Sequence, residues 1–545
     1  MATGYAVLAR ALRQQGTDHL FFLMGGPMID CENACLGEGI AMIDTRHEQA
    51  AAMMATAYSR LLGKPGICMA ASGPGAANLV TGVAHAYVDG APVIAIGGSS
   101  PVRQYGLGAF QEIDQLAMFK PVTVWAERCY DPRRIPELVD AAFRHALAGA
   151  PGPVYLDMPG DVLYAEVPDD QVRWVTPGAR QRRTGGGNQD IANVCEVLSR
   201  AERPVVITGS GILWSGAAAA LQAWVERLGV PFYTTPQGRG VIAEDHPLCF
   251  LAARSTAFRE ADCVVVIGTR LNYVIGYARP PRFSPDAALV QVDINAAEIG
   301  KTGPVDAAVA GDARTVLGQL LDAAGEVKEA PGRYAGWVRH LAEVNEGKAR
   351  AAEQRMSTDQ RPIHPLRLCK EVRDVMERDA VLCVDGQEIL NYARQAIPVY
   401  VPGHSLNSGV FGTMGVGLPF ALGARVARPD RQIIVLHGDG SFGLNALEMD
   451  TAVRHQLPVL CVISNNGGWT AADTFKAGRE LGFSRYDEMA RAFGCYGDYV
   501  EDPGQLRPSL ERAMKAVADG QPAVVNVVTD PSARAQTGRF ADYST

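Results

Sequence analysis

Short apolar segments of strand-like composition alternate with helix-length segments along nearly the whole chain of 545 residues. Such nearly continuous apolar runs are typical of strands in parallel sheets that helices cover on both faces. A chain this long exceeds what one hydrophobic core supports and predicts about three domains. We therefore expect an α/β fold with three doubly wound parallel-sheet domains. The predicted strands are 66–71, 93–96, 154–157, 205–208, 263–267, 289–292, 380–384, 433–436, 460–463 and 523–528.

Composition narrows the class of protein and its partners. Hydrophobic residues make up 47% of the chain and charged residues 20%, which describes a well-buried globular protein. The net charge of −8 argues against nucleic-acid and anionic-membrane partners. We see no signal-peptide pattern and no apolar run near the roughly 20 residues that span a bilayer. The eleven cysteines include no CxxC pair and lie mostly in apolar strands, so we expect reduced core thiols in a cytoplasmic protein.

Two stretches have the composition of linkers. Residues 177–190 are rich in Gly and Arg without periodicity, and residues 331–365 form a charged, helix-like bridge. They predict an N-terminal domain over 1–176, a central domain over 190–330 and a C-terminal domain over 362–536. Residues 537–545 follow as a tail.

The segment from Gly438 to Asn466 has the strongest chemical signal. One predicted strand runs into Gly438-Asp439-Gly440-Ser441, and the next ends on Asn465-Asn466-Gly467-Gly468. Because parallel strands end on one edge of their sheet, we expect Asp439 and Asn466 side by side. Carboxylate and amide oxygens suit Mg²⁺ or Ca²⁺, which keep vacancies for diphosphate oxygens. The glycines admit backbone N–H groups to a phosphate, and we expect the helix after Ser441 to direct its N-terminus at it. GDG alone is more often an ordinary strand-to-helix turn.

The pattern of GDGS, roughly two dozen residues and then NN resembles the cofactor motif of thiamine diphosphate enzymes. The resemblance implies that Mg²⁺ is held by Asp439, Asn466 and the carbonyl of Gly468. Residues 412–417 resemble the segment that bends the cofactor, with Met414 between its two rings and the backbone near Gly412 on the pyrimidine amine. The implied cofactor contacts are Gly412, Met414, Gly440, Ser441, Phe442, Gln387, Asn466 and Gly468.

Glu48 lies in Arg46-His47-Glu48-Gln49-Ala50-Ala51, which leads into a helix. Its ordinary role would be a first-turn carboxylate that the helix dipole favours. The segment resembles the glutamate motif of the same enzymes, which meets the metal motif across a subunit interface. The resemblance implies that Glu48 drives tautomerisation of the aminopyrimidine ring, a general acid–base task. It also implies a homodimer or homotetramer with active sites between subunits.

Three segments of the central block, 234–240, 252–255 and 268–273, resemble 2-hydroxyacyl-CoA lyases and oxalyl-CoA decarboxylases. Those enzymes carry ADP in the middle domain, whereas acetolactate synthases bind FAD there. The resemblance implies ADP contacts from Arg270, Asp293 and Asp312, although each could be an ordinary surface charge. The same resemblance implies that Arg394 lies near the phosphates of CoA. Phe110 and Gln111 lie in a segment that resembles the lyases and acetolactate synthases, where Phe and Gln line the substrate space.

These resemblances imply a thiamine diphosphate-dependent carbon–carbon lyase (EC 4.1 class) acting on a small-molecule substrate. We expect cleavage of a 2-hydroxyacyl-CoA to an aldehyde or ketone plus formyl-CoA, through an enamine (Breslow) intermediate. The alternatives are an acetolactate synthase-like or benzaldehyde lyase-like carboligase and an oxalyl-CoA decarboxylase. Glu388 disfavours CoA, since the acyl-CoA enzymes usually have Gly-Ala-Asn where this chain has 386–388. The resemblance also implies that residues 537–545 form a lid over the active site; a frayed end is the alternative.

Overall fold

A computed structural model describes residues 1–178, 183–326 and 332–535. It contains three parallel β-sheets with helices between the strands, so the predicted class of three doubly wound α/β domains is confirmed. The domain boundaries given above stay a prediction. In the described residues, we find no helix with the length and apolarity needed to cross a membrane.

The N-terminal domain is built on a six-stranded sheet with the strand order β3-β2-β4-β5-β7-β6. A two-stranded antiparallel pair, β1 with β8, lies outside it. In chain order the elements are β1 (Ala2–Thr3), α1 (Gly4–Gln14), β2 (His19–Leu23), α2 (Ile29–Gly37), β3 (Ala41–Asp44), α3 (Glu48–Leu62), β4 (Gly66–Ala70), α4 (Pro74–Asp89), β5 (Val93–Ser99), α5 (Gln115–Phe119), β6 (Trp125–Arg128), α6 (Ile135–Leu147), β7 (Val154–Pro159), α7 (Gly160–Leu163) and β8 (Glu166–Val167).

The central domain has a five-stranded sheet with the order β10-β9-β11-β12-β13. The predicted helical bridge to the next domain is α13. The elements are α8 (Asn188–Arg200), β9 (Pro204–Thr208), α9 (Ser210–Trp214), α10 (Ala218–Leu228), β10 (Phe232–Thr234), α11 (Arg254–Glu260), β11 (Cys263–Ile267), β12 (Ala288–Asp293), β13 (Ala307–Ala310), α12 (Ala313–Glu326) and α13 (Ala335–Met356).

The C-terminal domain has a six-stranded sheet with the order β15-β14-β16-β17-β19-β18. Its two central strands, β16 and β17, are the ones that flank the GDGS and NN segments. The elements are α14 (Pro365–Val375), β14 (Val381–Asp385), α15 (Gln387–Ala396), β15 (Ser405–Asn407), α16 (Gly417–Ala427), β16 (Ile433–Gly438), α17 (Asp439–Asn445), α18 (Glu448–Arg454), β17 (Leu460–Asn465), α19 (Tyr486–Ala492), β18 (Tyr496–Val500), α20 (Leu506–Ala518) and β19 (Ala523–Val528).

Helices α3 and α16 join the N-terminal and C-terminal domains of the chain. Almost every residue of α3 is buried, and its alanines and methionines share one hydrophobic core with Leu418, Phe420 and Leu422 of α16. A Cβ at Gly423 would lie 2.4 Å from the carbonyl oxygen of Met54, so the two helix backbones are in direct contact. This packing fixes where Glu48, the first residue of α3, lies relative to the C-terminal domain.

Candidate active site

A cavity of about 210 Å³ opens at the carboxyl ends of β16 and β17. These strands are parallel neighbours, with Gly438 paired to Ser464, so Asp439 and Asn466 follow adjacent strands. The cavity brings together seven residues that the sequence singled out. They are Gln387, Met414, Asp439, Gly440, Ser441, Asn466 and Gly468.

Asp439 presents a buried carboxylate to this cavity. Its side chain is only 2% exposed, and its Oδ2 atom has no hydrogen-bond partner in the described residues. Burial raises the pKa of Asp439 to about 6, although backbone N–H groups of Gly440 and Gly468 lower it in part. A buried anionic oxygen without a donor is what a cation would neutralise. Asp439, Asn466 and the Gly468 carbonyl therefore fit a divalent metal such as Mg²⁺.

The loop after β17 is braced by an arginine that the sequence analysis did not identify. The guanidinium of Arg479 donates to the carbonyl oxygens of Asn466 at 3.0 Å and Thr470 at 3.2 Å. The Asn466 amide also donates to the Thr470 carbonyl at 2.9 Å and accepts the N–H of Gly468 at 3.3 Å. A Cβ at Gly468 would lie 2.2 Å from the Arg479 carbonyl oxygen, so only glycine fits there. Arg479 thus fixes the loop geometry in advance of any ligand.

Ser441 and Phe442 lie in the first turns of α17. This helix begins at Asp439, whereas the sequence predicted a helix after Ser441. The Ser441 hydroxyl donates inward to the Asp385 carbonyl at 2.9 Å, although the residue lines the cavity. The Phe442 ring is buried against His437 and Tyr486. The Phe442 side chain is therefore a core group.

The segment 412–417 contributes one residue to the cavity of Asp439. Met414 lines this cavity, whereas Gly412 is not among its lining residues. Gly412 has a φ of 71°, in the left-handed region that favours glycine. The carboxylate of Asp385 accepts the N–H of Gly417 at 2.9 Å and anchors the end of the segment. Burial raises the pKa of Asp385 to about 7.

Glu48 is held at the start of α3 by two domains. Its carboxylate is 8% exposed and accepts a hydrogen bond from the Asn78 amide at 2.9 Å. Glu448 of α18, in the C-terminal domain, accepts the backbone N–H groups of Arg46 at 3.0 Å and His47 at 3.2 Å. Glu48 is not among the residues that line the cavity of Asp439 in the same chain. The structure therefore does not bring these two groups into one cavity within a single chain.

Gln111 lies against Ser72 and Gly73, and Phe110 lies on the surface. The side-chain amide oxygen of Gln111 accepts a hydrogen bond from the hydroxyl of Ser72 at 2.6 Å, and the Gln111 backbone faces Gly73 at the start of α4. Gln111 has a φ of 58°, a conformation that is uncommon for a residue with a side chain. Phe110 is 85% exposed. Both residues therefore lie on the loop next to the start of α4 rather than in the cavity of Asp439.

A second cavity, of about 360 Å³, lies between the central and N-terminal domains. Arg270, Asp293 and Asp312 all line it, so the structure brings together the three predicted nucleotide contacts. Two of them also have local roles, because Asp293 accepts the N–H of Asn295 and Asp312 accepts that of Thr315. Burial raises the pKa of Asp293.

Arg394 lies on α15 close to Arg254 of the central domain, which is also close to Arg282. Burial, followed by the charges of Arg282 and Arg394, lowers the pKa of Arg254 to about 9. The Nε and Nη2 atoms of Arg254 are buried and have no hydrogen-bond partner in the described residues. Arg254 lies in the segment 252–255, but the sequence did not predict its place in a cationic cluster. The cluster of Arg254, Arg282 and Arg394 suits an anionic ligand.

Comparisons with known proteins agree with this geometry. The chain matches three family models of thiamine pyrophosphate enzymes, namely the N-terminal TPP binding domain over residues 2–118, the central domain over 191–320 and the C-terminal TPP binding domain over 388–527. It is 36% identical over 539 residues to the acetolactate synthase large subunit IlvG of Mycobacterium tuberculosis, covering 96% of this chain and 95% of that protein.

Two further relatives are a 2-hydroxyacyl-CoA lyase and an oxalyl-CoA decarboxylase. The chain is 31% identical over 561 residues to 2-hydroxyacyl-CoA lyase 1 of Homo sapiens, covering 99% of this chain and 96% of that protein. It is 32% identical over 557 residues to the oxalyl-CoA decarboxylase of Escherichia coli, covering 99% and 97%. The predictions of the family and of an enzyme related to carbon–carbon lyases are confirmed. The chain belongs to the thiamine pyrophosphate (thiamine diphosphate) enzymes.

Proposed function

We propose that this enzyme is a carbon–carbon lyase and ligase that interconverts a 2-hydroxyacyl-CoA with an aldehyde or ketone plus formyl-CoA. The observation that supports a CoA substrate is the arginine cluster of Arg254, Arg282 and Arg394 at the junction of the central and C-terminal domains. CoA carries several phosphate charges, and buried guanidinium groups bind phosphate in bidentate geometry. The backbone N–H of Ala535 donates to Glu388 at 2.8 Å, so this carboxylate, which disfavours CoA on sequence grounds, already has one donor.

The chemistry follows from the family and from these residues. Thiamine diphosphate supplies a nucleophilic carbon and an electron sink for breaking a bond next to a carbonyl. Asp439, Asn466 and the Gly468 carbonyl would hold its metal, which we propose is Mg²⁺. Met414 would support the two rings from the segment 412–417. Glu48 would hold the proton at the pyrimidine nitrogen, because it is a buried carboxylate on a fixed helix end.

We also propose that two copies of the chain form each active site. Glu48 and the Asp439 cavity are separate within one chain, and exposed apolar side chains occur on both domains concerned. Leu107 and Phe110 are exposed on the N-terminal domain, and Phe411, Leu444 and Leu447 are exposed near the cofactor residues. A second copy would cover these side chains and bring its own Glu48 to the cavity. The smallest such assembly is a homodimer, and pairing of two dimers gives a homotetramer.

Mixing two inactive variants tests this arrangement. A Glu48→Gln chain and an Asp439→Ala chain each lack one half of the site, but their mixed dimer contains one intact site. Random reassortment should therefore restore about a quarter of the wild-type activity, since half of the dimers are mixed and each has one working site. Each variant alone serves as the control. Absence of any recovery, with subunit exchange demonstrated by a tag, would show that both groups act within one chain.

Parallel assays with a 2-hydroxyacyl-CoA, oxalyl-CoA and pyruvate would identify the substrate. We expect turnover of the 2-hydroxyacyl-CoA, and we expect Arg254→Gln to raise its KM about tenfold without a matching loss of kcat. The second candidate is an acetolactate synthase-like carboligase, which the 36% identity to such a protein favours. Turnover of pyruvate alone, unaffected by Arg254→Gln, would establish that alternative and refute the CoA assignment.

The central cavity would take ADP in preference to FAD. Arg270 offers a cation for phosphate, and Asp293 and Asp312 offer acceptors for ribose hydroxyls. We expect a colourless purified protein that binds ADP in calorimetry, with weaker binding by Arg270→Gln. A yellow protein that releases flavin would contradict this. A cytoplasmic location also remains a prediction; all eleven cysteines are free thiols.

A further inference from the structure

Helix α4 runs from the surroundings of Glu48 to the central cavity. Near its start, Asn78 donates to Glu48. At its end, Asp89 lines the central cavity together with Gln237 and Arg270. Between these ends lies His85, whose side chain is fully buried. None of the proposed chemical steps uses this histidine.

The His85 ring contacts a polar group on each side. Its Nδ1 atom and the hydroxyl of Thr413 are hydrogen-bonded at 3.2 Å, and either of the two can donate. Its Nε2 atom lies 3.2 Å from a carboxylate oxygen of Asp89, in contact with it but without a hydrogen-bond partner among the described residues. Thr413 lies between Gly412 and Met414. One imidazole ring therefore holds the cofactor segment against α4.

The central domain fixes the other side of this contact. Gln237 donates to Asp89 at 2.8 Å, and Arg270 donates to the carbonyl oxygen of Val88. The second Asp89 oxygen, Oδ1, is buried and has no hydrogen-bond partner in the described parts of the chain. A Cβ at Gly409 would lie 2.2 Å from this oxygen, so the base of the cofactor segment also packs on Asp89. Gln237 and Arg270, which line the central cavity, thus hydrogen-bond to the last two residues of α4, close to His85.

We propose that His85 is a positioning residue that couples the central cavity to the cofactor site. Gln237 orients Asp89, Asp89 orients the His85 ring, and the ring orients Thr413 and with it the backbone of Met414. A change at the central cavity would therefore alter the affinity for thiamine diphosphate without any direct contact. This inference rests on the proposed cofactor role of the segment 412–417.

A double-mutant cycle tests the coupling. The variants are His85→Ala, Gln237→Ala and the double variant, and the readout is the dissociation constant of thiamine diphosphate with Mg²⁺, measured by calorimetry. We expect each single variant to weaken binding about tenfold, the effect of losing one buried hydrogen bond. We expect the double variant to bind thiamine diphosphate no more weakly than the single variant with the lower affinity, because the two substitutions break the same chain of contacts. His85→Gln, whose amide can still contact Thr413 and Asp89, should regain part of the affinity.

Controls separate coupling from damage to the fold. His340→Ala removes a histidine whose side chain is 45% exposed and should leave the cofactor affinity unchanged. Each variant should keep its secondary structure, measured by circular dichroism. Effects that multiply in the double variant, or wild-type affinity in His85→Ala, would overturn the coupling while leaving the proposed cofactor site intact. A wild-type protein that does not bind thiamine diphosphate at all would overturn the proposed function and the coupling together.

Discussion

Glu448 gives the sharpest test of how the two cofactor-binding domains hold together. Its carboxylate accepts backbone N–H groups from Arg46 and His47 and the hydroxyl of Thr451, at 2.6 Å. Burial raises the pKa of Glu448 from 4.5 to about 7. The folded protein therefore keeps a proton on this group between pH 4.5 and about 7 that the unfolded chain releases. This contribution to stability is complete below the unfolded pKa and is lost as the pH rises through about 7.

The size of the effect follows from the two pKa values. At about 1.4 kcal/mol for each pKa unit, the difference between 4.5 and about 7 corresponds to at most about 3.5 kcal/mol. Glu448→Gln removes the titration but keeps an oxygen that can accept the N–H groups of Arg46 and His47. Its amide nitrogen can donate to the hydroxyl of Thr451, whose oxygen can also accept. The variant should therefore gain stability relative to wild type as the pH rises.

Thermal melting of the cofactor-free protein measures this difference. The melting temperature of Glu448→Gln minus that of wild type should grow between about pH 5 and about pH 8, by about 2–4 °C for each kcal/mol in a domain of this size. Glu346→Gln, at an exposed glutamate of α13, is the matched control and should show no such trend. A difference that stays constant across this pH range would refute the buried titration. Glu448→Ala, which leaves two backbone donors unpaired, should lose stability and activity together.

Three further predictions concern the cofactor and the tail. Asp439→Ala should abolish binding of thiamine diphosphate, because the diphosphate then lacks its metal; stoichiometric binding in calorimetry would contradict the metal role. Glu48→Gln should keep most of the cofactor affinity but lose about 10²–10⁴-fold in rate, and wild-type proton exchange at the thiazolium carbon would contradict this. The proposed lid, residues 537–545, lies outside the described residues. Its deletion should raise the KM for an acyl-CoA and lower turnover while cofactor affinity is unchanged; unchanged kinetics would show that the tail is not a lid.

The sequence alone predicted every interior strand of the three parallel sheets except β2, and none of their edge strands. All ten predicted strands are present, and the strands that were missed include β3, β6, β10, β13, β15 and β18, which are the two edges of each of the three parallel sheets. An interior strand of a parallel sheet is covered on both faces and reads as a continuous apolar run. An edge strand is short and partly exposed, so its composition resembles that of a loop.

The same division holds for the candidate site. Asp439 and Asn466 were predicted as neighbours because each follows an interior strand, and those strands pair directly. The cofactor contact of Phe442 stays a prediction, and only the packed structure shows that its ring lies against His437.

What the sequence determined is therefore local: where strands and helices occur, and which motif follows which strand. The tertiary structure alone decided which distant groups meet. Arg46 and Glu448 are 402 residues apart and His85 and Thr413 are 328 apart, so no local pattern records either contact. A single glutamate or histidine, such as Glu448 or His85, forms no periodic pattern in the sequence that would mark it. Its role arises only when two domains pack together and supply its hydrogen-bond partners.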